Sequence, residues 1–425
     1  MIRAFNVRIY PNKAQRTQIH KTIGCGRFIY NQMLNERKEV YEQLKDDKDA
    51  LINYTYKTEK QYKAEFPFLK EADSIALQAS REHLFEAYQS FFNGLKKGRK
   101  VGFPRFKSRK GKESYTTKKT NENIKIDFER QKLKLPKLEW LQYNDERVFS
   151  KKIKRATVKK TKSNKYFVSF TLEAQDDVNE KQIIHKRDIT AFDMSAKDFL
   201  VNDLVKMENP RFYRSEQKKT KKLSKELSQK KKGSKNREKA RLKLARHYDT
   251  ICSRKKDWTH KITRKLADTF DAIILENLNV KGMQKFNSGL SKSISLDFSW
   301  YQFTTYLKYK MEWEGKHFVP VDRFFASSKL CSCGGWKNNS LTLQERAWTC
   351  LDCGTFHDRD ENASVNLRKE GIRILKEEKQ ITIIHDDKTT VGTTGSHAFG
   401  DDVRPQEILQ DLFGQFSRKK ESITL

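Results

Sequence analysis

Ala272-Ile273-Ile274-Leu275-Glu276 places four consecutive apolar residues ahead of a carboxylate. A continuous apolar run of this length fits a strand buried on both faces, as in a sheet covered by helices on either side. Glu276 then emerges at the strand end, where ligands and active sites gather in such sheets. Upstream, Ile189-Thr190-Ala191-Phe192 is a second apolar run. Asp193 follows it, then a short turn from Met194 to Lys197 and a third apolar run through Val201. That pattern predicts a β-hairpin with Asp193 at its mouth. Downstream, His357-Asp358-Arg359-Asp360-Glu361-Asn362-Ala363 leads into Ser364-Val365-Asn366-Leu367. The spacing predicts a helix with Val365 and Leu367 turned inward, so that Asp360 sits at or near its N-terminus.

Singly, each acid has an ordinary reading: a turn residue, a strand-end charge, a helix cap. Together, Asp193, Glu276 and Asp360 offer oxygen ligands for two Mg²⁺ about 4 Å apart, one activating water and the other stabilising the leaving 3′ oxygen. Hydrolysis by that route needs no nucleophilic side chain. No motif argues for a Ser-His-Asp or Cys-His arrangement, nor for a glycine-rich phosphate loop. The surroundings of these acids are strongly basic: 88 Lys and Arg stand against 55 Asp and Glu, a net charge of +33. Spread along the chain, this excess suits a polyanion, and with the acids it points to a metal-dependent nuclease. A solvated basic surface or an affinity for anionic membranes is the plainer reading of the charge.

At 425 residues and 36% hydrophobic content the chain can build two to four domains with real cores. No stretch approaches the ~20 apolar residues of a membrane span, and Met1 to Pro11 alternates basic with apolar residues instead of offering a signal-peptide core. A cytoplasmic protein, on the nucleoid when it engages DNA, is the expectation. Four of the six cysteines crowd into two doublets, Cys331-Ser332-Cys333 and Cys350-Leu351-Asp352-Cys353. This reads as metal ligation in a reducing compartment, four thiolates on one Zn²⁺ in a ribbon of two knuckles. The second doublet has the usual spacing. The first is one residue short and is expected not to reproduce the usual knuckle turn, with His357 as a possible substitute ligand. Cys25 and Cys252 read as buried structural thiols.

Arg3 to Tyr10 alternates with period two, a strand ended by Pro11-Asn12. A helical region follows, marked by Ile19, Ile23 and Phe28 and then by Leu77, Leu84, Tyr88, Phe91 and Leu95, a stripe read as ordinary core. Between Lys96 and Lys112, Gly98, Gly102 and Pro104 forbid a continuing helix. There Arg99, Lys100, Arg105, Lys107 and Arg109 interleave with Phe103 and Phe106, cations for phosphates beside rings for bases or ribose, the plainer alternative being that the two rings simply anchor the loop to the core. Residues 124 to 173 read as strands of a small barrel that the first strand could complete. Arg214 to Arg246 reads as a basic helical hairpin broken near Gly233-Ser234, able to lie along a phosphate backbone. The stretch from about Lys376 reads as a flexible tail.

The ordered series Phe5-Asn6-Val7-Arg8-Ile9-Tyr10-Pro11, Gly24 to Asn31, Gly102-Phe103-Pro104-Arg105-Phe106-Lys107, Leu275-Glu276-Asn277-Leu278, the cysteine doublets and His357 to Asp360 with Asn362-Ala363 resembles the TnpB family. These are transposon-encoded relatives, and ancestors, of type V CRISPR effectors. The resemblance spans residues 1 to 375 and implies an RNA-guided DNA endonuclease of α/β multidomain architecture. In that architecture a RuvC-like, RNase H-type nuclease domain (181–327 and 358–376) carries an inserted zinc ribbon (328–357). A β-barrel wedge domain (1–11 and 119–180), a helical recognition lobe (12–118) and a C-terminal tail (377–425) complete it. It implies Asp193, Glu276 and Asp360 as catalytic Mg²⁺ ligands and Cys331, Cys333, Cys350 and Cys353 as Zn²⁺ ligands. The partners it implies are a guide RNA from the transposon end and a double-stranded DNA target beside a short flanking motif. Two departures stand out: Ser195 where relatives often have Gly, and the shortened first doublet. Relatives that have lost active-site acids bind as RNA-guided repressors; all three acids are present here. A transposase acting directly on element ends would use the same acids.

Overall fold

The computed structural model describes residues 4–149, 151–173, 178–195, 198–285, 294–342 and 344–385. The chain divides into two compact units, 1–177 and 178–425.

The first unit combines a helical part with an antiparallel sheet. Strand β1 (Ala4–Tyr10) leads into helix α1 (Lys13–Leu44), which Asn12 caps by accepting from Gln15 N at 2.9 Å while the Gln15 side chain accepts from Asn12 N. This reciprocal cap satisfies two of the amides a helix start leaves unpaired. Helices α2 (Lys48–Asn53), α3 (Glu59–Glu65) and α4 (Ser74–Lys96) follow. α1 and α4 bury Ile29, Leu34, Leu77 and Leu84 in a common core. The apolar stripe of α4 ends sooner than its periodicity suggests. Leu95 is 51% exposed, whereas the adjacent Gly94 is buried against Val101, so the last turn directs its glycine and not its leucine inward.

The sheet takes β2 (Glu113–Lys118), β3 (Lys125–Asp127), β4 (Lys132–Leu135), β5 (Glu139–Asn144), β6 (Ile153–Lys160) and β7 (Tyr166–Leu172) in the order β2-β6-β7-β1-β5-β4-β3. β1 sits near the centre, between β7 and β5, so the N-terminal strand does complete the array. Alternate residues of these strands, Val7, Ile9, Leu133, Leu141, Val158, Val168 and Phe170 among them, fill one core. No hydrogen-bonded pairing joins β2 to β3 among the described residues, so the barrel is open at that seam. β2 belongs to this sheet although it falls within 12–118, the stretch read as helical. Thr116 and Thr117, β-branched, mark it after the fact.

In the second unit β8 (Ile183–His185) and β9 (Ile189–Phe192) precede a hairpin of β10 (Asp198–Val201) and β11 (Lys206–Glu208). Helices α5 (Phe212–Ser215), α6 (Gln217–Ser228) and α7 (Lys235–Thr269) come next, α7 capped by Ser234 after Gly233 at φ +85°. The break near Gly233-Ser234 is therefore real, while α7 runs well beyond Arg246. On α7, Cys252 is exposed, unlike the buried Cys25, which corrects its reading as a core thiol. β12 (Ala272–Glu276), α8 (Val280–Met283), α9 (Trp300–Trp313) and β13 (His317–Val321) follow, then β14 (Ala347–Thr349), β15 (Phe356–Asp358), α10 (Arg359–Glu377) and β16 (Thr382–Ile384).

β12 is the middle strand of the parallel set β13-β12-β9, with Ala272, Ile273, Ile274 and Leu275 all fully buried. One face, with Phe192, Ile273 and Leu275, packs against Leu266 of α7 and Phe303 and Leu307 of α9. The other, with Ala191, Ala272 and Ile274, packs against Leu367 and Leu375 of α10. Gly371 lets α10 approach closely: a Cβ there would lie 2.4 Å from the side chain of Ile274. β16 pairs in parallel with β8 in a separate two-stranded sheet, so the first residues of the proposed tail, as far as 384, form regular structure. The remainder of the proposed tail, 386–425, lies outside the described residues.

Candidate active site and metal centre

The register of the parallel strands brings the first two acids level. Leu275 pairs with Phe192, so Glu276 and Asp193, one residue on in each strand, stand side by side. Side chains alternate along a strand. Since Leu275 and Phe192 face α7 and α9, Glu276 and Asp193 face the opposite side, the side covered by α10. Asp193 is further fixed by a two-way backbone bridge to Val201, its N–H donating at 2.8 Å and its carbonyl accepting at 2.9 Å. The hairpin mouth foreseen from sequence is therefore this bridge; Ala196 and Lys197 of the turn lie outside the described residues.

α10 delivers the third acid. Asp358 is its N-cap and accepts from the amides of Asp360 (3.0 Å) and Glu361 (3.2 Å), which leaves the Asp360 side chain in the first turn. Asp358 also accepts from Lys206 Nζ at 2.9 Å. Burial works against its charge, but Lys206 and the helix amides prevail and hold its carboxyl below the usual range. Asp358 thus orients Asp360 through the helix start. Val365 is only half-buried. The inward positions are Ala363, Leu367 and two asparagines: Asn362 donates to Leu330 O (2.7 Å), Asn366 to Ser327 O (2.9 Å) and Leu330 O (2.7 Å).

The three carboxylates interact. Burial raises Asp193 well above the carboxylate range, and Glu276 and Asp360 push it further, against Arg359. Glu276 is raised by burial and by Asp360, opposed by Ser327, whose hydroxyl donates to its Oε1 at 2.7 Å. Asp360 Oδ2 accepts from Ser195 Oγ at 3.0 Å and from Arg346 at 3.1 Å, and Oδ1 accepts from Arg359 at 3.1 Å. Arg346 and Arg359 both pair with Asp360, and no ion pair to Asp193 or Glu276 is found among the described residues, so this cluster of largely buried carboxylates is suited to a divalent cation.

The pH dependence of the cation-free protein follows. Asp193 binds its proton more tightly folded than unfolded, so its contribution to stability is full at low pH and declines as pH rises from about 4, the unfolded carboxylate value, through the raised folded value. With EDTA present, Asp193→Asn should melt higher than the parent at neutral pH, by about 2–4 °C per kcal/mol relieved, and the gap should close toward pH 4. Thermal melts of both proteins across that range check it.

The cysteines converge as well. Cys331, Cys350 and Cys353 form one group of donors within 4.8 Å of one another, and Cys331, Cys333 and His357 form a second. Cys331 Sγ lies 3.5 Å from Cys353 Sγ and 3.2 Å from His357 Nε2. The expectation that the short doublet cannot make the usual turn is overturned. Gly335 N donates to Cys331 O (2.9 Å) and Cys331 N to Trp336 O (2.7 Å), matching Gly354 N to Cys350 O (3.0 Å) and Cys350 N to Thr355 O (2.9 Å). The turn depends on a glycine with positive φ, Gly335 at +76° and Gly354 at +69°, and not on the second cysteine. Thr355 holds the Cys353 thiol down to about 7, whereas burial lifts Cys350 and lowers His357.

In the first unit, the loop after α4 is pinned from both sides. The Asn31 side chain donates to Lys107 O (3.0 Å) and accepts from Lys107 N (2.8 Å), and Lys107 Nζ lies 3.8 Å from the Tyr30 ring centre. Phe103 packs edge-on against Tyr88 and Phe91, and Lys38 lies over Phe103 and Phe106. The rings are thus partly anchors, although Phe103 and Phe106 remain 43% and 48% exposed. Arg99, Lys100, Arg105 and Arg109 are exposed, with no ion pair among the described residues.

Over 391 residues the chain is 31% identical to a Streptomyces pristinaespiralis protein named as an RNA-guided DNA endonuclease, covering 87% of this chain and 89% of that one. This chain belongs to the TnpB family. InsQ of Escherichia coli K12, similarly named, is 26% identical over 88% of this chain and 93% of its own. Three family profiles match: "Helix-turn-helix domain" over 1–46, "Probable transposase" over 186–287 and "Cas12f1-like, TNB domain" over 300–367. The chain also aligns with the protein of a Cas12f1–sgRNA–target DNA complex at TM-score 0.52 and 13% identity, over 87% of this chain and 98% of that one. At that identity the likeness is one of fold.

This TnpB chain has its own features against that background. Its residues 4–46 form one strand and one unbroken helix, with no turn inside Lys13–Leu44. Ser195 supplies a hydroxyl to Asp360 that glycine could not. Ser327, Arg346 and Asn366 escaped sequence reading, and Asn362 entered it only as part of a motif, with no role. For the asparagines a signal existed, two polar residues at i and i+4 on the face that also carries Ala363 and Leu367. For Ser327 and Arg346 there was none, because their partners are distant in sequence. No helix among the described residues is long and apolar enough to cross a membrane.

Proposed function

We propose that this protein is an RNA-guided, metal-dependent DNA endonuclease encoded by a transposon, with Asp193, Glu276 and Asp360 at its reactive centre in a RuvC-like nuclease domain. What carries the reading is the mutual electrostatic interaction of these three acids, which come from separate segments and meet beside the carboxyl ends of β9 and β12. The relatives' names and the family membership agree with it. The strand order, with the β10–β11 hairpin bridged to β9 and then β12 and β13 in parallel, is that expected of an RNase H-type sheet.

The donor set is all oxygen, anionic and largely buried, which fits Mg²⁺. When bound, two such ions would supply water activation and stabilisation of the leaving 3′ oxygen. The protein's own part is to hold the acids. Ser327 orients Glu276, Ser195 orients Asp360, and Arg346 and Arg359 offset the charge of Asp360 while the site is free of cation. Cys331, Cys350 and Cys353, with a fourth donor, fit Zn²⁺, which would fix the two knuckles against α10.

Arg99, Lys100, Arg105 and Arg109, with Phe106 beside them, are proposed to grip the phosphate backbone, Lys107 and Phe103 being committed in part to anchoring the loop. Base pairing of a guide RNA from the transposon end with one DNA strand would read the sequence, leaving the protein a short flanking motif. The test is to purify the protein from cells carrying its native locus, sequence the RNA that accompanies it, and challenge a plasmid library of randomised flanks with and without Mg²⁺. One RNA from the element end, and Mg²⁺-dependent cuts beside one short motif, are expected. RNA-dependent binding without cutting would make it a repressor, and cutting of element ends without RNA would make it a transposase.

A further inference from the structure

We propose that the zinc ligands of this chain are Cys331, Cys350, Cys353 and His357, and that Cys333 stays outside the coordination sphere as a free thiol. The inference rests on the zinc reading above and settles which donors the shortened doublet uses.

The two knuckles serve as each other's reference. Both make the same backbone turn, with the amide four residues on donating to the carbonyl of the first cysteine. In the second knuckle the ligand Cys353 occupies the third place after Cys350. The equivalent place after Cys331 is Gly334, which has no donor. Cys333 corresponds instead to Asp352, an exposed residue that lies beside the opposite knuckle: a Cβ on Gly334 would be 3.2 Å from its Oδ2. The turn therefore carries Cys333 at a position which, in the intact knuckle, does not serve as a ligand.

His357 fills the gap from another strand. On β15, it is buried, 6% exposed, with its ring 4.8 Å from that of Trp348 and its Nε2 3.2 Å from Cys331 Sγ. In a tetrahedral zinc site, neighbouring sulfur and nitrogen ligands are separated by roughly 3.5 Å and sulfur pairs by roughly 3.8 Å. The separations of Cys331 from His357 and from Cys353, 3.2 and 3.5 Å, are therefore near those of ligands sharing one ion. Exposure does not separate the thiols, since Cys333 and the ligand Cys353 are both exposed and the Cys333 thiol also lies within 4.8 Å of the donor atoms of Cys331 and His357; the register of the knuckle turn is what sets Cys333 apart. His357 also stands immediately before Asp358, the cap of α10, so the metal would be tied through one short segment to Asp360.

The zinc-loaded full-length protein should be treated with iodoacetamide and mapped by mass spectrometry, and zinc affinity measured by chelator competition. Cys333 should alkylate while Cys331, Cys350 and Cys353 are protected. Cys333→Ser should keep zinc affinity within about twofold, and His357→Ala should lose at least about tenfold. His357→Cys should restore tight binding and, after Co²⁺ exchange, strengthen the thiolate charge-transfer band, which separates ligation from a folding defect. Protection of Cys333, or a Cys333→Ser loss as large as that of His357→Ala, overturns the ligand assignment while leaving zinc in place. A purified parent that contains no zinc overturns the zinc reading itself.

Discussion

Asp193→Ala is expected to lower guide-dependent DNA cleavage by about 10³-fold or more, equivalent to at least about 4 kcal/mol of transition-state stabilisation, with target binding unchanged. Asp193 interacts with both other acids and is raised furthest by burial, so its loss removes two of the cluster's three pairings. Its backbone bridge to Val201 uses main-chain atoms and survives the change. The sheet should therefore keep its register, and RNA and DNA contacts elsewhere should persist. Cleavage in single-turnover assays, beside filter binding of the same RNA–protein complex to target DNA, separates the two effects. Cleavage within tenfold of the parent would falsify the assignment of Asp193; joint loss of binding and cleavage would indicate a misfolded variant, to be replaced by Asp193→Asn.

Cys350→Ser is expected to weaken zinc binding by at least about 100-fold, the upper end of what loss of an outer-sphere partner alone costs. A serine hydroxyl stays protonated at neutral pH and is a poor zinc ligand. The module has little else to hold it, since its core is Cys331, Leu341, Trp348 and Cys350 with Trp336 packed alongside. In small metal-dependent modules of this kind, binding energy is folding energy. Disorder there should reach the acids, because Ser332 N donates to Asn362, Arg346 pairs with Asp360, and β15 runs directly into α10. Metal analysis should show zinc lost, and cleavage should fall while guide-RNA binding is retained. A full zinc complement in the serine variant would remove Cys350 from the centre.

The sequence by itself determined the elements that depend on near neighbours. The apolar run of β12, the strand end at Pro11-Asn12, the break near Gly233-Ser234 and the period-two alternation of β1 are local matters of hydrogen bonding and burial, and all are present. So was the acid at each of three element ends. Where a local signal failed, a distant partner or an untested assumption lay behind it. Leu95 continues a core stripe by spacing yet is exposed, while Gly94 beside it is buried against Val101; β2 hides in a segment that reads as helical, and the first knuckle turns on Gly335 whatever the cysteine spacing.

Only the tertiary structure decided which groups meet. Parallel register makes Asp193 and Glu276 neighbours, strand alternation turns both toward α10, and the close approach at Gly371 brings that helix near enough to present Asp360. The same is true of His357 beside Cys331. Spacing along a chain limits what one turn can reach, whereas a metal or active site is assembled by packing, through contacts whose partners leave no mark on one another in the sequence.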